Sequence, residues 1–359
     1  MLRSLQLKDF RCFTDLTLNL DSPLLLIEGL NGSGKTSLFE ALHYACYMRS
    51  FRALSPRDMI RCTADSFFIK IVTDQDTFVC GFTKGKRVAR LNQQTVIDHA
   101  TLQKTIFIVV TVTEDDLGIV KNEPERRRAF VDQSISLINK SFTHMIKKYR
   151  VLLDNRNAAL LNNCSLDELT VWTEQLWHLS HAIEQERKLF LNSLALHIAE
   201  SAKQHFENLY SIELLYQKKH TLDTATTWSD FESFWKSFIL PQELRYKRTF
   251  FGVHLDDITI TFQGKVARFY SSRGQQKLIV MLLKLALIIL LQKQGHINTA
   301  ITLLLDDFMT DFDHIVAQNL IDACLALKVQ CFLTSPAFGS ESFEKKIACE
   351  RGALSLSLM

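Results

Sequence analysis

Eight residues, Gly29-Leu30-Asn31-Gly32-Ser33-Gly34-Lys35-Thr36, satisfy the spacing G-x-x-x-x-G-K-[ST], and Ser37 follows them. The chemistry such spacing performs is the holding of a polyphosphate. Glycines let the backbone turn tightly with its N–H groups pointing inward, and the start of the next helix adds positive potential. Lys35 is spaced to reach the β- and γ-phosphates of a nucleotide, and the Thr36 hydroxyl to ligate magnesium. The alternative is a glycine-rich turn with an accidental lysine. It leaves unexplained why an apolar run, Leu24-Leu25-Leu26-Ile27, enters the loop and a helix-forming run from Leu38 to Met48 leaves it.

Two further stretches carry compatible chemistry. The apolar run Thr302-Leu303-Leu304-Leu305 ends in Asp306-Asp307, a strand terminating in carboxylates as a magnesium site beside a phosphate loop requires. Ser272-Arg273-Gly274-Gln275-Gln276 stands directly before the long apolar run from Leu278 to Leu291. A serine and a glycine at a helix N-terminus form a second anion-binding device, although alone they read as an ordinary N-cap. Together with the phosphate loop and the paired aspartates the combination is specific.

These groups need a scaffold, and the apolar periodicity outlines one. Residues 2–9 and 14–20 alternate as two short strands, and 67–91 reads as a meander of three. The run Thr105-Ile106-Phe107-Ile108-Val109-Val110 is continuous, as in a strand buried on both faces. Pro124 opens a helix-rich region lasting to about Trp235, with helices over roughly 139–162 and 166–210. Strand character returns between 249 and 270. A helix to about Leu327, a buried strand at Cys331-Phe332-Leu333-Thr334 and a last strand pair near 347–358 complete the chain.

With 359 residues and 47% hydrophobic content the chain can bury a sizeable core. Its net charge of +3 demands neither a nucleic-acid nor a membrane partner, so any such surface is local. The eight cysteines form no C-x-x-C pair and fit a reducing cytoplasm. The run from Leu278 to Leu291 is short for a membrane span and carries Lys284 in its middle, which favours a buried helix. His178 and His181 share a helix face without further ligands at metal spacing. Arg126-Arg127-Arg128 reads first as a solvated helix face and second as a DNA contact; Lys147, Lys148, Lys218 and Lys219 are the other candidate cations for a DNA footprint. Arg49-Ser50-Phe51-Arg52 reads as a solvated loop, with a second nucleotide contact as the alternative.

At these residues the chain resembles the RecF family of bacterial recombination mediators, relatives of the SMC and ABC ATPases, along nearly its whole length. The likeness is carried by Leu7-Lys8-Asp9-Phe10-Arg11-Cys12-Phe13, by Gly29 to Ser37, by Arg49 to Arg52, and by Asp115-Asp116-Leu117 with Glu125 to Arg128. It continues in Gly252-Val253-His254-Leu255-Asp256-Asp257, in the signature Ser272 to Gln276, and in Asp306-Asp307-Phe308 through Asp313. Departures are Val253 and Leu255, where the family has proline and arginine, Glu114, where a proline is usual, and Thr310-Asp311-Phe312-Asp313 in place of Ser-Glu-Leu-Asp.

The resemblance implies an α/β fold, an ABC/SMC-type P-loop ATPase head of mixed β-sheet with helices, carrying an inserted, mainly helical second lobe. The expected lobes are 1–113 and 298–359 for ATP binding, with 114–297 inserted between them. ATP and Mg2+ are the implied cofactors. Arg11, Gly29, Leu30, Asn31, Gly32, Ser33, Gly34, Lys35, Thr36 and Ser37 would meet the nucleotide; Ser272, Gly274 and Gln275 would close over ATP held by a second subunit. Thr36 and Asp306 would hold the metal, with Lys35, Asp306 and Asp307 catalytic. The implied function is a weak ATPase switch of recombinational repair and replication-gap processing. ATP would drive dimerisation on gapped or junction DNA, slow hydrolysis would release it, RecO and RecR are implied partners, and no membrane is involved. Competing readings are the nucleotide-binding subunit of an ABC transporter, a small-molecule P-loop kinase, and a scaffold that binds ATP without hydrolysing it.

Overall fold

In the computed structural model the described residues are 1–96, 107–207, 210–219, 227–294, 300–307, 311–336, 346–350 and 353–357. In chain order, β1 (Leu2–Phe10), β2 (Phe13–Asn19) and β3 (Leu24–Gly29) lead through the phosphate loop into α1 (Lys35–Tyr47). Then come β4 (Phe67–Thr73), β5 (Thr77–Thr83), β6 (Lys86–Leu91), β7 (Gln94–Thr95) and β8 (Phe107–Val112). Three helices follow, α2 (Pro124–Ile138), α3 (Lys140–Leu161) and α4 (Leu166–Phe206), then β9 (Ile212–Gln217). Next are α5 (Trp228–Phe234), a π-turn (Trp235–Ile239), α6 (Leu240–Tyr246), β10 (Asp257–Phe262), β11 (Lys265–Val266) and α7 (Arg273–Lys293). The chain ends with β12 (Ala300–Leu305), α8 (His314–Ala326), β13 (Gln330–Ser335), β14 (Lys346–Glu350) and β15 (Ala353–Ser357).

The chain divides into two compact units, Met1–Asp116 with Val280–Met359, and Leu117–Ile279. The first boundary falls three residues beyond the expected 113/114. The second falls at 279/280 rather than 297/298, because the apolar run of α7 from Val280 on is core to the first unit. Within that run Lys284, the charge in its middle, pairs with Asp116 at 2.9 Å, and the Gln292 amide donates to the Leu327 carbonyl at 2.7 Å. By length and composition α7 would pass for a membrane span, yet 72% of its apolar window is buried in the protein.

The first unit holds two sheets. One is antiparallel, order β2-β1-β4-β5-β6-β7; the other, order β15-β14-β3-β13-β12-β8, is parallel except for β15. Alternation in β1 and β4 turns Leu5, Leu7, Ile69 and Ile71 to one face, where they are fully buried. Strands β8 and β13 are buried at all six positions, as strands covered on both faces are. Helix α1 joins both sheets in one core, with Leu38, Phe39, Ala41, Leu42, Tyr44 and Ala45 all inaccessible or nearly so. A helix apolar most of the way round belongs in an interior, and each large side chain there contributes roughly 1.5–3 kcal/mol of burial. One buried glutamine stitches the sheets: Gln330 accepts from the Leu2 N–H at 2.5 Å and donates to the carbonyls of Leu2 and Leu20.

The second unit is mainly helical, as expected, with α4 alone running 41 residues, about 60 Å. It also contains the antiparallel sheet β11-β10-β9. Strand β9 is a correction, since the sequence reads as a helix-rich region up to about Trp235; pairing with β10, from Ile212↔Phe262 to Gln217↔Asp257, makes it a strand. The segment Gly252–Asp257 is a polar hub inside this unit. Gly252 has φ +109°, and a Cβ there would lie 2.5 Å from the Tyr149 hydroxyl, so only glycine fits. The Val253 carbonyl accepts from Arg187, whose guanidinium also grips Asp132 at 2.8 and 2.9 Å. The Tyr149 hydroxyl and His254 Nδ1 are 2.7 Å apart.

Candidate nucleotide site

Parallel pairing brings the expected groups of the first unit to one edge of the sheet. Leu305 of β12 lies beside Leu333 of β13, and Ile27 of β3 beside Thr334. The carboxyl ends of three strands therefore carry Asp306, Thr334 and the phosphate loop side by side, the edge at which open α/β sheets present ligand sites. The loop has Gly32 at φ +82° and Gly34 at φ +114°. A Cβ on Gly34 would meet Cys12 Sγ at 2.8 Å and the Phe13 ring at 2.9 Å, so the turn after β1 packs directly on the loop. Residues Lys35, Thr36 and Ser37 open α1, where the first N–H groups of a helix point outward without intrahelical acceptors.

Lys35 is buried and folded over its own loop, its Nζ donating to the carbonyls of Gly29 at 2.7 Å and Leu30 at 3.1 Å. The Thr36 hydroxyl donates to Asp306 Oδ1 at 3.2 Å, and the Thr334 hydroxyl donates to the same oxygen at 2.7 Å. The Asp307 N–H in turn donates to Thr334 Oγ at 2.9 Å. Burial raises the Asp306 pKa, opposed by the two hydroxyl donors and reinforced by the neighbouring Asp307 charge. Asp307 itself is exposed, with φ +47°. Phe308, Met309 and Thr310 of the expected segment Asp306 to Asp313 lie outside the described residues, as do Thr105 and Ile106 of the expected buried strand. A hydroxyl and a carboxylate oxygen 3.2 Å apart are hard donors of the kind magnesium takes.

Arg11 sits at the turn between β1 and β2. Its Nε and Nη2 hold both oxygens of the fully buried Glu40 at 2.8 and 2.6 Å, and its Nη1 donates to the Asp58 carbonyl at 2.6 Å. Ser50 also donates to Glu40, while accepting from the N–H groups of Arg52 and Ala53. Arg49–Arg52 is therefore a turn tied to α1 through Glu40 rather than a freely solvated loop. Two residues of this edge escaped the sequence reading as site residues. Thr334 lies near the end of an apolar strand as Asp306 follows one, which was the available signal; Glu40 is the one acid of α1.

In the second unit Ser272 begins α7 with a reciprocal cap. Its hydroxyl accepts from the Gln275 N–H at 3.3 Å, and the Gln275 side chain accepts from the Ser272 N–H at 2.9 Å. Ser272 and Gln275 are exposed and Gly274 half-buried. The arginine triplet divides. Arg127 is buried and grips Asp257 at 2.7 and 2.9 Å, and Arg128 donates to the Asp256 carbonyl at 2.6 Å. Neither is a solvated face nor an open cation, because partners 128 and more residues away consume them; only Arg126 is exposed. Lys218 is taken by Glu184 at 2.8 Å, while Lys147 and Lys148 are exposed. Among the described residues no cluster of three metal-ligating side chains occurs.

The AAA-domain family profile matches residues 4–226. The DNA replication and repair protein RecF of Halothermothrix orenii is 30% identical over 349 residues, covering 92% of this chain and 91% of that one. The structure of the recombination mediator protein RecF-ATP in the RecFOR pathway is similar with a TM-score of 0.84 at 23% identity, over 99% of this chain and 97% of that one. An Smc head bound to the C-winged helix domain of ScpA gives a TM-score of 0.56 at 15% identity, over 100% and 97% of the two chains. Both likenesses place the fold among ABC/SMC-type P-loop heads.

Proposed function

The chain belongs to the RecF family of AAA-domain proteins, and from that premise we propose that it is an ATP-driven switch of DNA replication and repair, assembling on DNA when ATP is bound and leaving on hydrolysis. The observation that carries this reading is the meeting of Thr36, Asp306 and Thr334 at the mouth of the phosphate loop. Phosphate oxygens replace the Gly29 and Leu30 carbonyls as acceptors for Lys35, which then stabilises charge on the transferring phosphoryl group. The first N–H groups of α1 suit the phosphates, and Arg11, through Glu40, fixes the turn that packs on Gly34. Magnesium held by Thr36 and Asp306 would supply Lewis-acid stabilisation of the phosphate oxygens. Asp307 orients the attacking water. Its reach is shorter by one methylene than a glutamate's, which fits slow turnover.

Ser272, Gly274 and Gln275 stand at a helix N-terminus, whose positive end suits the γ-phosphate of ATP bound to a second copy. A C2 pair would enclose two nucleotides between identical surfaces, and loss of the bridging phosphate would release it. RecF-ATP is described as belonging to the RecFOR pathway, which supports RecO and RecR as partners. Light scattering coupled to size exclusion tests the switch. A monomer that becomes a dimer only with ATP and magnesium, more so with gapped DNA, is expected. A monomer under all conditions would move the assignment to a phosphate-binding kinase or scaffold.

A further inference from the structure

Residues 228–246 form one continuous helical stretch through α5, the π-turn and α6. Its inner face is Phe231, Trp235, Ile239 and Glu243, all buried, at a spacing of four. Its outer face is unusual. Phe238 is 64% exposed and Tyr246 55% exposed, and Phe234 and Phe238 stand 5.1 Å apart between ring centres. Arg245, seven residues beyond Phe238 and so on the same helical stripe, lies over the Tyr246 ring at 5.3 Å. Tyr246 meets Phe250 at 5.6 Å, and Arg248 covers Phe250 at 4.8 Å. Between 234 and 250 there are four cations, Lys236, Arg245, Lys247 and Arg248, of which Lys236 pairs with Glu232 at 2.7 Å, and one acid, Glu243. That acid is wholly buried and ion-paired with Arg156 at 2.6 Å, so it contributes no negative charge to the surface.

The same ion pair makes the surface rigid. The Glu243 carboxylate accepts from Arg156, from Trp235 Nε1 at 2.8 Å and from the Phe250 N–H at 2.8 Å. It therefore pins the helix and the segment after it to one buried point. Phe238 and Tyr246, exposed on a fixed backbone, flanked by the half-buried Phe234 and Phe250 and interleaved with arginines, lose little entropy on binding and present π-faces beside positive charge. Bases attached to phosphates match both properties. Acidic protein segments match the charge but have no general use for a row of rings, and duplex DNA hides its base faces.

We propose that Phe234, Phe238, Arg245, Tyr246, Arg248 and Phe250 form a stacking platform for unpaired DNA, engaging the single-stranded part of a gap. The proposal rests on the DNA-binding reading above and adds to it a site and a strand preference. Stacking on the rings holds the bases, and Arg245 and Arg248 neutralise the adjoining phosphates.

The test is fluorescence anisotropy of the full chain with a labelled oligo-dT and with a duplex of equal length, with ATP and magnesium throughout, comparing wild type with Phe238→Ala/Tyr246→Ala. Both side chains are exposed, so melting curves should coincide. Single-strand affinity should fall about fivefold or more while duplex affinity holds, and Arg245→Ala should flatten the salt dependence on oligo-dT. Bromouracil in the oligonucleotide should photocrosslink to the peptide spanning 234–250. Unchanged single-strand affinity in the double variant, or equal losses on both DNAs, overturns the platform. If wild type binds no DNA of either kind, the DNA-binding reading falls with it, and the two failures are thereby distinguished.

Discussion

Thr334 Oγ lies 2.7 Å from Asp306 Oδ1 and accepts the Asp307 N–H at 2.9 Å, so a single hydroxyl touches both aspartates proposed to act beside the phosphate loop. Thr334→Val keeps the shape and removes the hydroxyl, leaving Asp306 with one fewer donor and the Asp307 N–H without this acceptor. We expect ATP turnover to fall about tenfold, and stability to fall by roughly 1–2 kcal/mol. Thr334→Ser should restore most of both. Single-turnover hydrolysis and chemical denaturation measure the two; full activity in the valine variant would show that Asp306 is held adequately by Thr36 alone.

In the proposed switch Lys35 would exchange two loop carbonyls for phosphate oxygens, so its removal should act on nucleotide rather than on folding. Lys35→Ala is expected to weaken binding of a fluorescent ATP analogue by an order of magnitude or more, or to abolish hydrolysis with binding retained. An unchanged affinity together with unchanged turnover would remove the lysine from the site.

Ser272 supplies half of a reciprocal cap, worth about 1 kcal/mol. Ser272→Ala should therefore melt slightly earlier, bind ATP normally as a monomer, and fail to dimerise with ATP in light scattering. Dimerisation at the wild-type ATP concentration would leave Ser272 with its capping role only.

His254 is held neutral: burial, and next the Arg128 charge, lower its pKa from 6.5 to about 4. Its folded value is below its unfolded value, so the unfolded state binds more protons between pH 6.5 and 4. The associated stability is complete above pH 6.5 and is lost as pH falls through that window, by roughly 2–3 kcal/mol at pH 4. His254→Asn removes the titrating ring, and the difference between wild-type and variant urea midpoints should narrow with acidification. A constant difference from pH 7 to 4 would assign the acid loss to other groups.

What the sequence made legible was local. The phosphate loop announces itself because glycines, lysine and threonine are contiguous, and the alternation of β1, β2 and β4 needs only neighbours. What stayed hidden was pairing at a distance. Thr36 meets Asp306 across 270 positions, and Arg127 meets Asp257 across 130, so the arginine triplet reads as surface charge until β10 is in place. Strand β9 hid for the same reason: Ile212-Glu213-Leu214-Leu215-Tyr216-Gln217 alternates imperfectly and becomes a strand only beside β10.

The Arg156–Glu243 pair offers the sharpest test of how the second unit is held. Both side chains are fully inaccessible, and the guanidinium also donates to Thr173 and Thr249 while lying 4.7 Å from the centre of the Phe251 ring. Truncating one partner strands the other charge away from water. Arg156→Leu should therefore destabilise by about 3–5 kcal/mol, whereas Arg156→Leu with Glu243→Leu, which removes both charges, should recover a large part of that loss. The Trp235 N–H and Phe250 N–H would still lack their acceptor, so recovery should be incomplete. Denaturation of the single and double variants gives the coupling directly. If the double variant is no more stable than the single, the pair's weight lies in these hydrogen bonds rather than in charge balance, and Glu243→Gln, whose single amide oxygen replaces only one of the two carboxylate oxygens that the Trp235 and Phe250 N–H groups use, should then fall between wild type and Glu243→Leu in stability.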